Sequence, residues 1–415
     1  MTLLYRLALA CYALAIKLAT LFSLKARFRQ LGNTQWRPAL QQLPPSPHRL
    51  WLHVASVGEF EQGRPLVEQF LQRHPHYQLI LTFFSPSGYQ QHANYSHAAL
   101  ATYLPLDSPS NAKAFLDLLQ PQLVFFVKYE FWHFFLRELK ARQIPCLLLA
   151  AHFRPNQAFF RWYGTFFRQM LHCFEHIFVQ QTSNLPLLKA HGIHHASHAG
   201  DSRIDRVFEI ATTPFHDPII ASFSQNHLLF IAGSSWPIGE QALLKHIQQA
   251  PTDNWKYLIA PHDVSPKHIE QLQALFGHLA LRYTQSSEQE VVTAKVLIVD
   301  TIGLLSKLYR YGAAAYIGGG FGQGIHNTLE PAVYGLPIAF GPKHEKFVEA
   351  KDLLEAGAAV VVKRPEEMGA MVKKLQGAAF KEGAAKAAKA YVEGQRGATG
   401  RMLNWIETYL LEAPK

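Results

Sequence analysis

The 415-residue chain has no acidic residue before Glu59, although Arg6, Lys17, Lys25, Arg27, Arg29, Arg37 and Arg49 all precede it. A segment with cations and no carboxylates cannot neutralise itself, so it calls for an anionic partner. Cysteine is also scarce: Cys11, Cys146 and Cys173 are widely spaced and form no paired motif. That pattern excludes a disulfide framework and a cysteine zinc site, and predicts a reducing compartment. Among 22 histidines the one cluster is His191, His194, His195 and His198, which Gly192 interrupts and no carboxylate joins, so no metal site is expected. There is no internal repeat, and the single biased tract, 381–390, reads as a solvated Ala/Lys helix. With 17% charged and 48% apolar residues, wholesale disorder is excluded.

What the N-terminus does contain is apolar. Residues 1–24, MTLLYRLALACYALAIKLATLFSL, approach the length of a membrane span but carry two charges. On a helix Arg6, Ala10, Ala13, Lys17 and Thr20 share one narrow stripe, with Leu, Ile, Tyr and Phe elsewhere. Such a helix suits a bilayer interface or a packed membrane anchor, followed by a basic cluster for anionic head groups. A helix buried in the protein is the competing reading, and a cleaved signal peptide would need a small-residue cleavage site that is missing here. Residues 1–30 are read as a membrane-anchoring helix and basic arm. The formal charge of +10 over the whole chain allows nucleic acid, a lipid surface, or a phosphorylated or carboxylated substrate as the anionic partner.

The length suits two α/β domains. An apolar run at 50–54 ends in Ala55-Ser56-Val57-Gly58-Glu59 and a helical stretch to Leu71, which is strand, tight loop, helix. Further strands are expected at 78–84, 123–127, 146–150 and 177–179. A second series is expected at 228–232, 257–260, 296–299, 313–317, 338–340 and 358–362. Strands alternating with helices predict two Rossmann-like halves facing an interdomain cleft, with ligands beyond the carboxyl ends of the strands. The expected boundaries are a first domain at 31–208, a linker at 209–226, a second domain at 227–397, and an amphipathic helix at 398–415 that crosses back to the first.

Five segments could carry chemistry. Ser56 to Glu59 matches a capping box, but it also sets a carboxylate at the end of the first strand, where it could act as a general base. Glu130 lies just beyond the buried run 123–127, as a loop residue or a lining residue of the cleft. Gly318 to Gly324 leads into Ile325-His326-Asn327-Thr328-Leu329-Glu330-Pro331. Its glycine spacing is not a dinucleotide fingerprint, which speaks against a nicotinamide cofactor. It could present amides to a phosphate and Glu330 to ribose hydroxyls, while capping by Asn327 and Glu330 is the bland equivalent. Ser234 and Ser235 offer hydroxyls to a phosphate or sugar carboxylate, or a helix cap. Arg203, in Gly200 to Asp205, is a cleft cation or a surface charge.

The ordered set Ser56 to Glu59, Lys128-Tyr129-Glu130-Phe131-Trp132, Gly200 to Asp205, Ser234 to Glu240, Ala260-Pro261-His262 and His326 to Ala332 resembles the 3-deoxy-D-manno-octulosonic acid (Kdo) transferases. The resemblance runs from the N-terminal anchor to about Val362. It implies a GT-B fold and transfer of Kdo from CMP-Kdo to a lipid A precursor, lipid IVA; a single base, Glu59, then suits one displacement with inversion, and the lack of a metal-ligand cluster predicts a metal-independent transfer. It places this step of lipopolysaccharide biosynthesis at the cytoplasmic face of the inner membrane. No cofactor and no nucleic-acid partner are implied. Residues 31–208 become the acceptor domain and 227–397 the nucleotide-sugar domain. Glu59 matches the proton acceptor, and Glu130 and Arg203 match positions of transition-state support. Pro261, His262, Ile302, Gly303, Leu304, Asn327, Thr328, Leu329 and Glu330 match the segments that hold CMP. Arg203 stands where many relatives have lysine, His262 where arginine is common, and Thr328 where proline is common; none of these changes removes a carboxylate. A nucleotide-sugar epimerase of the same fold would need no anchor, and a membrane scaffold without activity would leave Glu59 and Glu330 without purpose.

Overall fold

The computed structural model describes residues 1–250 and 254–412. Residues 251–253 of the expected second domain and 413–415 of the C-terminal segment lie outside them. Two compact units form: Met1–Asp205 together with the chain from Arg396 onward, and Arg206–Gln395.

The first unit opens with two helices, α1 (Thr2–Ala19) and α2 (Leu24–Gln41). The basic arm is therefore mostly helical, with Ser23 capping α2 through the Ala26 amide. A seven-stranded parallel sheet follows: β1 (Arg49–Val54), β2 (Gln78–Phe83), β3 (Ala98–Tyr103), β4 (Leu123–Val127), β5 (Cys146–Ala151), β6 (His176–Val179) and β7 (Ala196–His198). Their order is β3-β2-β1-β4-β5-β6-β7, and α3 (Val57–Arg73) follows β1. Both faces are buried, which is why the strands read as continuous apolar runs. Trp51, Ile80, Val124, Phe126 and Leu148 point to one core, with Trp36 and Leu40 of α2. Leu50, Leu52, Leu81, Phe125 and Leu147 point to the other, with Phe60, Leu66 and Phe70 of α3. The C-terminal helix Ala398–Glu412 adds Met402, Leu403 and Ile406 to that second core. Asp205 caps it by accepting the Gly397 and Thr399 amides.

The second unit carries β8 (Leu228–Ser235), β9 (Trp255–Pro261), β10 (Ala280–Arg282), β11 (Val296–Ile298), β12 (Ala314–Ile317), β13 (Ile338–Phe340) and β14 (Ala359–Val361). All pair in parallel, in the order β10-β11-β9-β8-β12-β13-β14. The stretch 209–226 holds the end of the helix Ser202–Thr212 and the whole helix Pro218–Ser224. Its turn-like composition belongs to a cap: Asp217 accepts the Ile220 amide and Pro218 stands in the first turn.

In each sheet the strand order reverses beside the first strand of its unit, between β1 and β4 and between β8 and β12. In open α/β sheets the carboxyl ends at such a reversal form the ligand crevice. The residues singled out from sequence at 56–59 and 130 follow β1 and β4, and those at 234–235 and 318–324 end β8 and follow β12.

Candidate active site

Ser56 occupies the cap position of α3, but its hydroxyl makes no capping bond. Glu59 instead reaches back over the start of α3: its Oε2 accepts the Ala55 amide, and the Ser56 amide also favours the charged form. The half-buried Glu59 carboxyl is nevertheless pushed up to about 7, first by burial and then by the Glu130 carboxylate. The two amides and Lys128 oppose the rise without cancelling it. Gly58 is exposed, and a Cβ there would meet nothing within 4 Å, so the turn is open beside the carboxylate.

Glu130 is buried and fixed from behind. Trp132 Nε1–H donates to its Oε2 at 2.7 Å, and His53 Nε2 lies 2.8 Å from the same oxygen. His53 is fully buried in β1. Register places it beside Thr82 of β2, whose Oγ1 is 2.9 Å from His53 Nδ1. Trp51 Nε1–H also donates to that hydroxyl at 2.7 Å. A chain of buried polar groups thus runs from the sheet interior to Glu130, and a network so enclosed holds its members rigidly. Lys128, between β4 and Glu130, sits at φ +60° in left-handed backbone, a strain that clusters at functional turns. Its charge acts on Glu59, Asp201 and His152. Arg203 forks onto Asp201, with Nε 3.0 Å from Oδ2. Burial would raise the Asp201 carboxyl, but Arg203 and then Lys128 hold it below its ordinary value.

In the second unit Ser235 does not cap the helix Pro237–Gln249; Trp236 takes that place without a side-chain bond. The buried Ser235 Oγ–H donates to Glu240 at 2.7 Å, and His268 Nε2 lies 3.3 Å from the same oxygen. Ser234 is left-handed at φ +48°. Trp236, His262 and His326 form a stack: Trp236 lies 5.0 Å from His262 at 12°, and His262 lies 4.5 Å from His326. Trp236 Nε1–H donates to His326 Nε2 at 3.0 Å. Burial first, and His262 second, lower the His326 pKa to about 4, so that ring is a neutral acceptor. A cavity of about 440 Å³ opens beside the stack, lined by Ser235, Trp236, His262, Asp263 and His268.

The glycine-rich turn is tightly constrained. A Cβ on Gly318 would fall 2.0 Å from the Ser234 carbonyl oxygen, and one on Gly320 2.6 Å from the Gly341 backbone. These glycines are required by the close approach of the ends of β8, β12 and β13. After the turn, Asn327 Oδ1 accepts the Leu329 amide and its Nδ2–H donates to Glu330. Asn327 therefore closes a turn just before the short helix Leu329–Val333, whose cap position belongs to Thr328 without a side-chain bond, and Thr328 and Leu329 are buried. Pro261 ends β9. Ile302, Gly303 and Leu304 form the turn after β11, with Ile302 exposed and Gly303 at φ +89°. Among the described residues no group of three or more His, Cys, Asp or Glu could hold a metal ion.

Residues 23–206 match the sequence model of the family described as 3-deoxy-D-manno-octulosonic-acid transferase (kdotransferase). The chain is 28% identical to the 3-deoxy-D-manno-octulosonic acid transferase of Rickettsia felis over 334 residues, 77% of this chain and 69% of that one. It is 24% identical to the enzyme of that name from Haemophilus influenzae over 424 residues, 97% of each chain. Over residues 23–206 the chain thus resembles the Kdo transferase family. Its fold matches a putative UDP-N-acetylglucosamine 2-epimerase from Listeria monocytogenes at TM-score 0.61, with 14% identity over 88% of this chain and 97% of that one. MurG of Acinetobacter baumannii matches at TM-score 0.55, with 14% identity over 87% of this chain and 100% of that one. These neighbours mark the GT-B fold.

In this Kdo-transferase-like chain, sequence reasoning overlooked His53, Thr82 and His268, and gave no role to Lys128, Trp132, Trp236 or His326. His53 had a visible signal, as a polar side chain directly after the three apolar positions Leu50, Trp51 and Leu52 of β1. The others became recognisable only through their partners.

Proposed function

We propose that the protein transfers Kdo from CMP-Kdo to a lipid A precursor, with inversion at the anomeric carbon. The observation that carries this reading is the Glu59 carboxyl, poised near neutrality at the strand-order reversal of the first unit. A base is most effective when its pKa lies near the working pH. Glu59 would take the proton of an acceptor hydroxyl as that oxygen bonds to the anomeric carbon of Kdo. The bond from that carbon to the phosphate oxygen breaks, and CMP leaves with the electron pair. Glu130, locked by His53 and Trp132, and Arg203, aligned by Asp201, would support the charge that develops. In the second unit the His262 stack and its cavity suit a nucleotide base, while Ser234, Ser235 and the segment Asn327–Glu330 would hold the phosphate and ribose.

We read the transfer as independent of metal and cofactor, and as taking place on an anionic membrane at the cytoplasmic face of the inner membrane. The exposed leucines of α1 and the N-terminal cations support that reading. The test is incubation of the purified protein with CMP-Kdo and lipid IVA in excess chelator, followed by mass spectrometry of the lipid. Addition of Kdo is expected. Release of a 2-epimer from a UDP-amino sugar with no lipid product would replace this reading with epimerisation, and activity that returns only with magnesium or zinc would remove the metal-independent mechanism.

A further inference from the structure

We propose that α1 lies flat in one leaflet of an anionic bilayer, with the turn at Arg161–Tyr163 beside it as a second, aromatic contact. The proposal rests on the membrane reading above and specifies how the chain meets the lipid.

The helix is inverted relative to a soluble surface helix. Only Ile16 is buried, whereas Leu3, Leu4, Leu7, Leu14 and Leu18 are 58–78% exposed. The outward face is the more apolar one, which a soluble helix avoids and an interfacial helix requires. Its inner side is fastened to the folded unit at separate points. Tyr5 Oη–H donates to Asp107 Oδ2 at 2.7 Å, and the Tyr5 ring packs 5.7 Å from Phe166 and 5.6 Å from His133. Two turns later Tyr12 stacks on Phe84, 6.1 Å between centroids. Asp107 also accepts the Phe134 and Phe135 amides, so it belongs to the polar framework of the unit.

These ties decide the orientation. At about 1.5 Å per residue an 18-residue helix reaches about 27 Å, slightly less than the hydrocarbon core. A spanning α1 therefore has no length to spare, and it would either break the Tyr5 and Tyr12 contacts or drag the Asp107 cluster into hydrocarbon. A flat helix keeps both contacts and immerses the leucines.

The second contact follows from the same tyrosine. Phe166, which Tyr5 touches, lies in the first turn of the helix Thr165–Leu171 just after the Arg161–Tyr163 turn, so that turn lies near the start of α1. Trp162 is 92% exposed, whereas the other six tryptophans are buried or half-buried. Tyr163 is 47% exposed beside it. An exposed Trp-Tyr pair next to an arginine has the composition of a membrane-interface anchor. Charge selects the lipid: Arg6, Lys17 and Lys25 flank the leucines, and no carboxylate precedes Glu59.

The experiment uses the full chain on phosphatidylglycerol/phosphatidylethanolamine vesicles. Cys11 is exposed in mid-helix, so a spin label there, and labels at Leu4→Cys and Leu18→Cys in a Cys11→Ser background, report depth along α1; Cys173→Ser is included throughout. All three are expected at one shallow depth. Tryptophan quenching by shallow-brominated phosphatidylglycerol is expected in the native chain, with most of it lost in Trp162→Phe. A Cys11 label at the bilayer centre with the end labels near opposite surfaces would overturn the flat arrangement. Vesicle binding with unchanged quenching in Trp162→Phe would overturn the aromatic contact while leaving membrane association intact. No binding to any vesicle would overturn both this proposal and the reading on which it rests.

Discussion

Replacing Glu59 with glutamine should abolish transfer and, at the same time, make the first unit more stable in alkaline solution. A carboxyl raised from 4.5 to about 7 opposes folding by about 3 kcal/mol once fully ionised. Glu59 is partly exposed, and the amides of Ala55 and Ser56 bind its charged form, so solvent screening reduces the expected gain to about 1–2 kcal/mol. The sign follows from the direction of the shift. Below pH 4.5 the group is protonated in both folded and unfolded chains and costs nothing. The cost grows as the unfolded chain ionises first, and it is complete only above about pH 7. Glutamine cannot ionise, so Glu59→Gln should melt about 2–6 °C higher than the native protein at pH 8, with the two curves meeting near pH 4. Kdo transfer should fall at least about 100-fold, because the amide cannot take the hydroxyl proton. Calorimetric melting at a series of pH values, paired with the lipid mass assay, measures both. A variant that is destabilised equally at every pH, and still transfers Kdo, would show that Glu59 is only a helix cap.

His53→Leu should cost about 1–3 kcal/mol, because Glu130 and Thr82 each lose a buried partner; His53→Gln, which can still donate toward Glu130, should recover part of that stability and of kcat. Equal losses in the two variants would show that packing, rather than the bond to Glu130, sets the role of His53. Glu330→Ala should weaken CMP binding by about 1.5–3 kcal/mol if its carboxylate accepts ribose hydroxyls, and an unchanged calorimetric affinity in a folded variant would exclude that contact. Gly320→Ala, whose Cβ would fall 2.6 Å from Gly341, should destabilise the second unit by about 1–3 kcal/mol. Gly322→Ala, with its nearest contact at 3.6 Å, should stay within about 0.5 kcal/mol of native in thermal unfolding.

The sequence by itself determined the α/β class, because strands buried on both faces must be apolar throughout and must alternate with helices. It located eleven strands, and those it missed have plain causes. β3 is the alanine-rich edge segment AALATY, half-buried for most of its length, and β7 and β10 are three residues each, too short to show a period. The sequence also placed Glu59 and Glu130, since a carboxylate just after an apolar run is visible in one dimension. Several details required the fold. Spacing alone could not show whether Ser56 caps α3, or whether Ser235 faces a ligand or Glu240, because both depend on rotamers set by neighbours. The glycines at 318 and 320 invited a phosphate-cradle reading, yet their size is demanded by backbone segments far away in sequence. The stripe on α1 was drawn through Arg6, Ala10, Ala13 and Lys17, whereas the side facing the domain carries Tyr5 and Ile16; which face docks depends on the surface it meets. His53, Thr82, Glu130 and Trp132 lie up to 79 residues apart, and only the parallel register of β1 with β2 and β4 makes them one network. Periodicity reports burial, which is local. The choice of partner for a buried polar group is not local, so it is decided only when distant strands come side by side.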